Sequence, residues 1–463
     1  MQLSKEDFGD DFKWGTSTAA YQVEGAYNID GKGPSVWDVF TTVKGKIHGG
    51  DTGNIACDFY HKYAQDISLM SQLNIPNFRF SISWSRIIPY GTGSVNLKGI
   101  EFYNKVINFC LDIGIVPWIT IYHWDLPYEL EKKGGWTNRN IINWFSDYVA
   151  ICIKHFGDRV KHWIVLNEPM AFTGAGYFLG VHAPGRKGLS NFLAAVHHAA
   201  ICQAEGGRII KSLLPDAKVG TTLSCSLIQP FSPTEKNIIA ATRMDALLNR
   251  LFVEPLAGLG YPVKDLKFLQ RLEPYIKGGD EKSLAFNMDF IGIQNYTREI
   301  VQHCWYTPFI KAKLIKANKR NVQTTAMDWE IYPECIYEML KKFSKYSFKE
   351  IVVTENGAAF PDKLSNNEVN DEQRKSYLQQ HIQQVLRAKQ EGINVTGYFV
   401  WSFTDNFEWA EGYSPRFGLI YVDFLSQKRT IKSSGYWYKE FLQNKKVIAK
   451  LTSPKNVNDI FYF

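Results

Sequence analysis

The chain has 463 residues, of which 45% are hydrophobic, so it can bury a large core as one oversized α/β barrel or as two or three ordinary domains. Its 53 basic and 46 acidic residues leave a formal charge of +7, a thin excess that gives no reason to expect a nucleic-acid or membrane partner. The first residues contain no apolar signal segment, and no stretch approaches the roughly 18 uninterrupted apolar residues of a membrane span. These features predict a soluble protein.

The seven cysteines are odd in number and show no Cys-x-x-Cys spacing. They predict reduced, mostly buried thiols in a cytoplasmic protein, in preference to a disulfide framework or a metal site. The sequence also lacks the HExxH, GxxxxGK[ST] and GxGxxG patterns, so zinc-protease, P-loop and Rossmann functions have no signature here. We therefore expect no metal and no cofactor.

Eight short runs rich in apolar and β-branched residues are typical of buried strands. In chain order they lie at residues 12–18, 77–83, 115–122, 162–166, 218–224, 289–295, 351–354 and 395–403. We interpret each run as one buried strand of a sheet.

Between the runs lie stretches whose apolar residues recur at intervals of three and four, as in amphipathic helices. They cover residues 64–73, 100–113, 141–156, 190–214, 333–346 and 372–390. This alternation, without a Pro/Ser-rich or low-complexity linker, predicts an α/β fold: a single (β/α)₈ TIM barrel with elaborated loops at its C-terminal face. We expect residues 1–463 to form one catalytic domain.

Two glutamates follow predicted strands directly, Glu168 after the fourth and Glu355 after the seventh. In a parallel barrel the C-terminal ends of the strands share one face, so the two carboxyl groups are predicted to face one cleft. A pair of carboxyl groups across a sugar ring is the minimum equipment for breaking a glycosidic bond. Pro169 is expected to hold Glu168 in extended geometry. Each glutamate alone is equally compatible with an ordinary acid at the start of a loop.

Gln22, His123 and Glu408 are polar residues embedded in aromatic sequence. Such a mixture suits sugars, whose hydroxyl groups need donors and acceptors while the C–H face of the ring packs on an aromatic plane. The alternatives are a satisfied core histidine and a solvated loop acid. A separate segment, residues 311–320, carries five basic residues and no acid. It would favour an anionic aglycone if it bordered the cleft, and is otherwise a solvated surface.

A series of motifs in order along nearly the whole chain resembles glycoside hydrolase family 1, the retaining β-glucosidases and their relatives. The motifs are Trp14–Gly25, Arg79–Arg86, Tyr122–Pro127, Asn167–Pro169, Gln294–Thr297, Thr354–Gly357 and Trp401–Trp409. The resemblance implies the same (β/α)₈ barrel that the periodicity predicts. Gln294 departs from the asparagine of many members but preserves an amide.

The resemblance also implies residue roles. Glu168 matches the general acid/base and Glu355 the nucleophile, while Arg79 and Tyr296 match the groups that hold the nucleophile. Trp329 resembles the platform on the aglycone side, and Phe417 a wall of the pocket. The pocket for the terminal sugar is matched by Gln22, His123, Trp124, Asn167, Trp401, Glu408 and Trp409.

The expected activity is that of a retaining exo-β-glycosidase, above all a β-glucosidase, acting on a small-molecule β-glycoside or short oligosaccharide. It would release a terminal unphosphorylated glucosyl unit, with galactosyl and fucosyl units as further options, by double displacement. Members acting on 6-phosphosugars typically replace the Glu408–Trp409 pair, whose carboxylate would repel a phosphate. Three alternatives remain at this point: a 6-phospho-β-glycosidase, a transglycosylase and a sugar-binding pseudo-enzyme. The sequence does not define the oligomeric state.

Overall fold

Eight parallel strands close into a barrel in the computed structural model, which describes residues 3–443. Each strand pairs with its two neighbours, and the last pairs with the first. The barrel strands are β1 Lys13–Ser17, β2 Asn77–Ser81, β3 Val116–Tyr122, β4 His162–Asn167, β5 Lys218–Ser224, β6 Phe290–Gln294, β7 Glu350–Asn356 and β8 Val395–Trp401. All eight predicted runs are therefore confirmed as barrel strands, and the predicted fold is confirmed.

The interior of the barrel is filled by large side chains that face glycines on neighbouring strands. A separate buried cluster in the barrel contains Trp118, Ile164, Phe290, Val352 and Phe399. A Cβ atom at Gly220 would lie 2.4 Å from a ring carbon of Phe290, and one at Gly15 would lie 2.5 Å from a ring carbon of Phe399. The two glycines are therefore required by the packing of the aromatic rings.

A helix follows every barrel strand before the next one begins, or before the described residues end. These helices are α1 Phe59–Gln72, α2 Leu97–Asp112, α3 Ile141–Phe156, α4 Leu189–Leu213, α5 Glu235–Asp245, α6 Glu334–Phe343, α7 Glu372–Gln390 and α8 Ser433–Leu442. The six predicted helices correspond to α1–α4, α6 and α7. Among residues 3–443 no helix has the length and apolar character needed to cross a membrane.

Shorter elements precede β1, lie in the connections between the barrel strands or follow β8. A small sheet consists of Leu227–Pro230, Arg298–His303 and Ala312–Leu314, and a hairpin of Ile420–Val422 and Arg429–Ile431. Short helical segments are Lys5–Phe8, Ala20–Val23, Val36–Phe40, His48–Gly50, Trp84–Ile87, Tyr128–Lys132, Gly135–Thr137, Pro169–Ala171, Phe172–Leu179, Ala246–Arg250, Val253–Leu256, Lys267–Tyr275, Asp280–Leu284, Ala317–Lys319 and Trp409–Glu411. The connections between the barrel strands are thus partly regular, because their backbone groups pair locally.

A buried ion network joins α8 to the connections that follow β7 and β8. Lys432 is fully buried, and its Nζ donates to Asp362 at 2.5 Å and to Asp405 at 2.6 Å. Arg374 pairs with the same Asp362 at 2.8 Å, and Arg416 with Asp405 at 2.7 Å. Since buried charges are stable only when paired, the network fixes these two connections to the end of the barrel.

Replacing Lys432 with methionine should lower the free energy of unfolding by about 3 kcal/mol, because two buried aspartates lose a partner. Urea unfolding followed by tryptophan fluorescence measures the change. The matched control is Lys375→Met, which removes a more exposed lysine whose pair with Glu372 spans 3.0 Å. That change should cost less than about 0.5 kcal/mol. Equal losses in the two variants would contradict the importance assigned to the network.

Candidate active site

A cavity of about 310 Å³ lies at the C-terminal ends of the barrel strands. Most of the side chains predicted for the site line it, namely Glu168, Glu355, Tyr296, His123, Trp124, Trp329, Trp401, Glu408, Trp409 and Phe417. The other three, Arg79, Asn167 and Gln22, lie directly behind the lining and hydrogen-bond to it. The structure therefore brings every predicted site residue to one place.

Glu355 is held in a fixed position by two donors. Arg79, fully buried in the middle of β2, forms an ion pair with Glu355 Oε1 through Nη1. The Tyr296 hydroxyl donates to Glu355 Oε2 at 2.7 Å. Gly357 lets the chain beyond β7 pass the carbonyl oxygen of Trp401, since a Cβ there would lie 1.7 Å from that oxygen. The glycine is thus required by close packing at the end of β7.

The same guanidinium also positions the end of β4. Arg79 Nη2 donates to the Asn167 side-chain oxygen at 2.5 Å, and Gln294 Nε2 donates to that oxygen at 2.8 Å. The Asn167 amide nitrogen lies 2.9 Å from His123 Nε2. Burial, reinforced by the charge of Arg79, holds the pKa of His123 well below its ordinary value, so the ring is neutral. Gln294 therefore keeps an amide contact to the site.

The backbone of Glu168 is not extended, as the sequence predicted, but left-handed, with φ 43° and ψ 66°. Its N–H still bonds to the carbonyl of Thr222 on β5, while its own carbonyl accepts from Ala171 at the start of a short helix. The chain thus passes from strand to helix within one residue, which demands this unusual conformation. Such strained backbone is often found at functional sites.

The two glutamates have different electrostatic surroundings. Burial raises the pKa of Glu168 to about 8, and the charge of Glu355 acts in the same direction. Burial also raises the pKa of Glu355, but the Arg79 guanidinium and the Tyr296 hydroxyl oppose this rise. Because these donors bond to Glu355 and not to Glu168, the proton of the pair resides on Glu168. One cavity therefore contains a neutral acid and a carboxylate at neutral pH.

A third glutamate and a glutamine form a polar corner of the cavity. Gln22 Nε2 donates to the Asn406 side-chain oxygen and to the Phe407 carbonyl, both at 2.9 Å, and lies 3.4 Å from Glu408 Oε2. Within residues 3–443 the other amide atom, Gln22 Oε1, is buried without a partner. Burial, with a smaller contribution from Glu355, raises the pKa of Glu408 to about 8. This corner can exchange hydrogen bonds with hydroxyl groups.

Aromatic rings form much of the cavity lining. The ring centroids of Trp124 and Trp409 are 4.5 Å apart, and Trp401 stacks near His123. The rings of Tyr296, Trp329 and Phe417 have centroids 5.2 to 6.3 Å apart and belong to one cluster with Trp401. Planar apolar faces beside hydrogen-bonding groups are suited to a sugar ring.

Several lining residues were not predicted from the sequence. They are His182, Ser224, Cys225, Ser226, Thr297, Glu299, Met327, Ala410 and Glu411. Position alone could have indicated Ser224 and Thr297, because one ends the fifth predicted strand and the other follows the sixth. The basic segment 311–320 contributes no lining residue, and its Arg320 pairs with Glu330 at 2.6 Å. The solvated interpretation of that segment is therefore favoured.

The barrel and its two-carboxyl cavity define a class of protein, the barrel enzymes that cleave glycosidic bonds. The sequence profile of glycosyl hydrolase family 1 matches residues 4–447. A 1,4-β-D-glucan glucohydrolase of Thermotoga neapolitana is 44% identical over 440 residues, covering 94% of this chain and 98% of the relative. The β-glucosidase A of Thermotoga maritima is 43% identical over 445 residues, covering 96% and 99%. The chain belongs to glycosyl hydrolase family 1.

Comparison with solved structures identifies the same family. The family 1 β-glucosidase from Thermotoga maritima superposes with a TM-score of 0.91 at 42% identity, covering 96% of this chain and 99% of that one. A β-glucosidase from the same organism in complex with glucoimidazole superposes with a TM-score of 0.90 at 43% identity, covering 94% and 99%. At this identity the likeness extends beyond the fold to the family, and the predicted family is confirmed.

Proposed function

We propose that the protein is a retaining exo-acting β-glucosidase that hydrolyses small unphosphorylated β-D-glucosides. The observation that carries the proposal is the pair Glu168 and Glu355 in one cavity, one neutral and the other held as a carboxylate by Arg79 and Tyr296. Relatives named β-glucosidase that align over nearly the whole chain support it. Hydrolysis of a glycosidic bond by two carboxyl groups needs this division of protonation states.

In the first proposed step Glu355 attacks the anomeric carbon while Glu168 gives its proton to the departing oxygen, leaving a covalent glucosyl-enzyme. Esterification removes the negative charge of Glu355, so the pKa of Glu168 falls and its carboxylate can accept a proton. In the second step Glu168 deprotonates a water that attacks the same carbon. Because two displacements occur, the released sugar keeps its β configuration.

The polar corner is proposed to select the terminal sugar. Glu408 and Gln22 would exchange hydrogen bonds with the hydroxyl groups farthest from the bond that breaks, and the unpartnered Gln22 Oε1 is an available acceptor. A phosphate at this corner would need cationic partners, and the described lining residues include no lysine or arginine, so we propose glucose and not a 6-phosphosugar. Glucose and galactose differ only at one hydroxyl group, and both are compatible with this corner.

The test follows the anomeric proton of the sugar by NMR during hydrolysis of 4-nitrophenyl β-D-glucoside. We expect β-glucose to appear first and the α anomer to grow in later by mutarotation. A parallel panel contains the β-galactoside, the β-fucoside, the β-glucoside 6-phosphate and cellobiose. First appearance of α-glucose, or dominant turnover of the phosphorylated substrate, would contradict the proposal.

The pH dependence of kcat/KM should show a descending alkaline limb. Glu168 must be protonated to act as the acid, and its pKa is about 8. As pH rises through this value the protonated fraction falls, so kcat/KM should decline about tenfold per pH unit above it. Initial rates with 4-nitrophenyl β-D-glucoside between pH 5 and 10 measure the limb.

A second group could produce the same limb, because burial also raises the pKa of Glu408 to about 8. Glu408→Gln removes that titration and should leave an alkaline limb in kcat/KM, although the limb can shift. Disappearance of the limb in this variant would assign it to Glu408 instead of Glu168.

We also propose that the chain forms one catalytic domain that works in the cytoplasm. The barrel strands run from residue 13 to residue 401, and the connections between them build the cavity, which supports a single domain. All seven cysteines are free and buried. Unpaired thiols of this kind are typical of a reducing compartment.

A further inference from the structure

The cavity wall contains a carboxyl group that the proposed reaction does not use. Glu299 lies in the strand Arg298–His303, which follows β6, and its half-buried side chain lines the cavity. The charges that act on it belong to Arg320 and Glu330, not to the reacting glutamates. Because Glu330 directly follows Trp329, Glu299 lies on the Trp329 side of the cavity, which is the side proposed for the aglycone.

The arginines in this region are engaged by another acid. Arg298 donates to the Glu330 carboxylate at 2.9 and 2.6 Å, and Arg320 pairs with it at 2.6 Å. No hydrogen bond or ion pair joins the Glu299 side chain to any residue between 3 and 443. Burial raises the pKa of Glu299 to about 7, with Arg320 opposing the rise and Glu330 reinforcing it. Glu299 is therefore an unpaired acid beside open cavity.

The rest of the lining does not compensate this charge. The described lining residues include no lysine or arginine, and the basic segment 311–320 lies outside it. An anionic aglycone would therefore meet Glu299 with no cationic side chain in the described lining and with Arg320 engaged by Glu330, which is a repulsive element. A cationic group would find a carboxylate to bond and the ring of Trp329 to lie against, and both contacts attract cations.

We propose that Glu299 makes the aglycone side of the cavity select β-glucosides whose aglycone carries an amine over those whose aglycone carries a carboxylate. The inference rests on the proposed β-glucosidase function and names the substrate class that this site prefers. Glu299 acts on binding and orientation of the aglycone, while Glu168 and Glu355 carry out the chemistry. Selection would therefore appear in kcat/KM ratios between substrates that share the same glucose.

The test uses three substrates of similar size: the 4-(aminomethyl)phenyl, 4-(hydroxymethyl)phenyl and 4-(carboxymethyl)phenyl β-D-glucosides, assayed at pH 7.5. For the wild type we expect kcat/KM for the amine to exceed that for the carboxylate by about tenfold or more. Glu299→Gln should lower this ratio severalfold, while the other acids of the lining keep it above one. Glu299→Lys should reverse it, because the sign of the charge is inverted.

The control is Glu273→Gln, which changes the net charge equally at an exposed surface position and should keep the wild-type ratio. A wild-type ratio near one, or the same ratio in the wild type and both Glu299 variants, would overturn the inference while leaving the glucosidase proposal intact. Lack of turnover of all three glucosides by the wild type would instead overturn the proposed function, and the inference with it.

Discussion

Replacing Glu355 with glutamine is expected to lower kcat for 4-nitrophenyl β-D-glucoside by about 10,000-fold or more. The amide is too weak a nucleophile to attack the anomeric carbon, so the covalent intermediate no longer forms. The remaining groups can still bind the sugar, because the variant keeps the size and most of the polarity of the side chain. Purified variant and wild type are compared by initial rates over the same substrate range.

Azide provides the control for Glu355. In Glu355→Ala the space left by the carboxylate admits azide, which would attack from the face opposite the leaving group and give α-glucosyl azide. Formation of this product would show that the variant is folded and that Glu355 normally occupies the attacking face. A Glu355→Gln enzyme with activity near that of the wild type, once contaminating enzyme is excluded, would refute its assignment as the nucleophile.

The second large effect is expected for Glu168→Gln, and it should depend on the leaving group. With cellobiose, whose departing sugar needs a proton, kcat/KM should fall by about 1,000-fold. With 2,4-dinitrophenyl β-D-glucoside the first step needs no acid, so a rapid burst of phenolate should precede a slow steady state. The burst arises because no base remains to activate the water that releases the glucosyl unit.

Stopped-flow absorbance resolves the burst, and its amplitude should equal the concentration of enzyme. Glu411→Gln is the matched control, since Glu411 also lines the cavity but is exposed on the rim. That variant should show neither the burst nor the strong dependence on leaving group. Equal losses of kcat/KM for cellobiose and for the dinitrophenyl substrate in Glu168→Gln would contradict a role in proton transfer.

The barrel was predictable because its strands are buried on both faces and therefore form short apolar runs with clear ends. Those ends also located Glu168, directly after β4, and Glu355, the last residue but one of β7, since the C-terminal ends of all strands share one face in a parallel barrel. The small sheet at residues 227–230, 298–303 and 312–314 was not predictable in the same way. Its strands are short and only partly buried, and they pair across distant parts of the chain.

Residues of common type were the hardest to identify. Glu299 occurs in the sequence Thr-Arg-Glu-Ile-Val, which resembles any exposed strand. Its role in the site can be inferred only from the structure, which shows the position of Trp329 and the pairing of Arg298 and Arg320 with Glu330. The conformation of Glu168 was mistaken because Pro169 favours extended geometry before it, whereas the immediate start of a helix demands a left-handed residue. The surroundings of Glu299 depend on long-range packing, which local sequence does not encode.

Arg79 holds the reacting residues from within the barrel and not from the outer connections. One buried guanidinium, anchored on β2, contacts both Glu355 on β7 and Asn167 on β4, and the second donor to Glu355, Tyr296, lies two residues beyond the end of β6. Exchange of the outer connections can therefore change which leaving groups the enzyme accepts, while the positions of the two reacting glutamates stay the same. Loop grafting onto this scaffold is consequently a practical route to new glycosidase specificities.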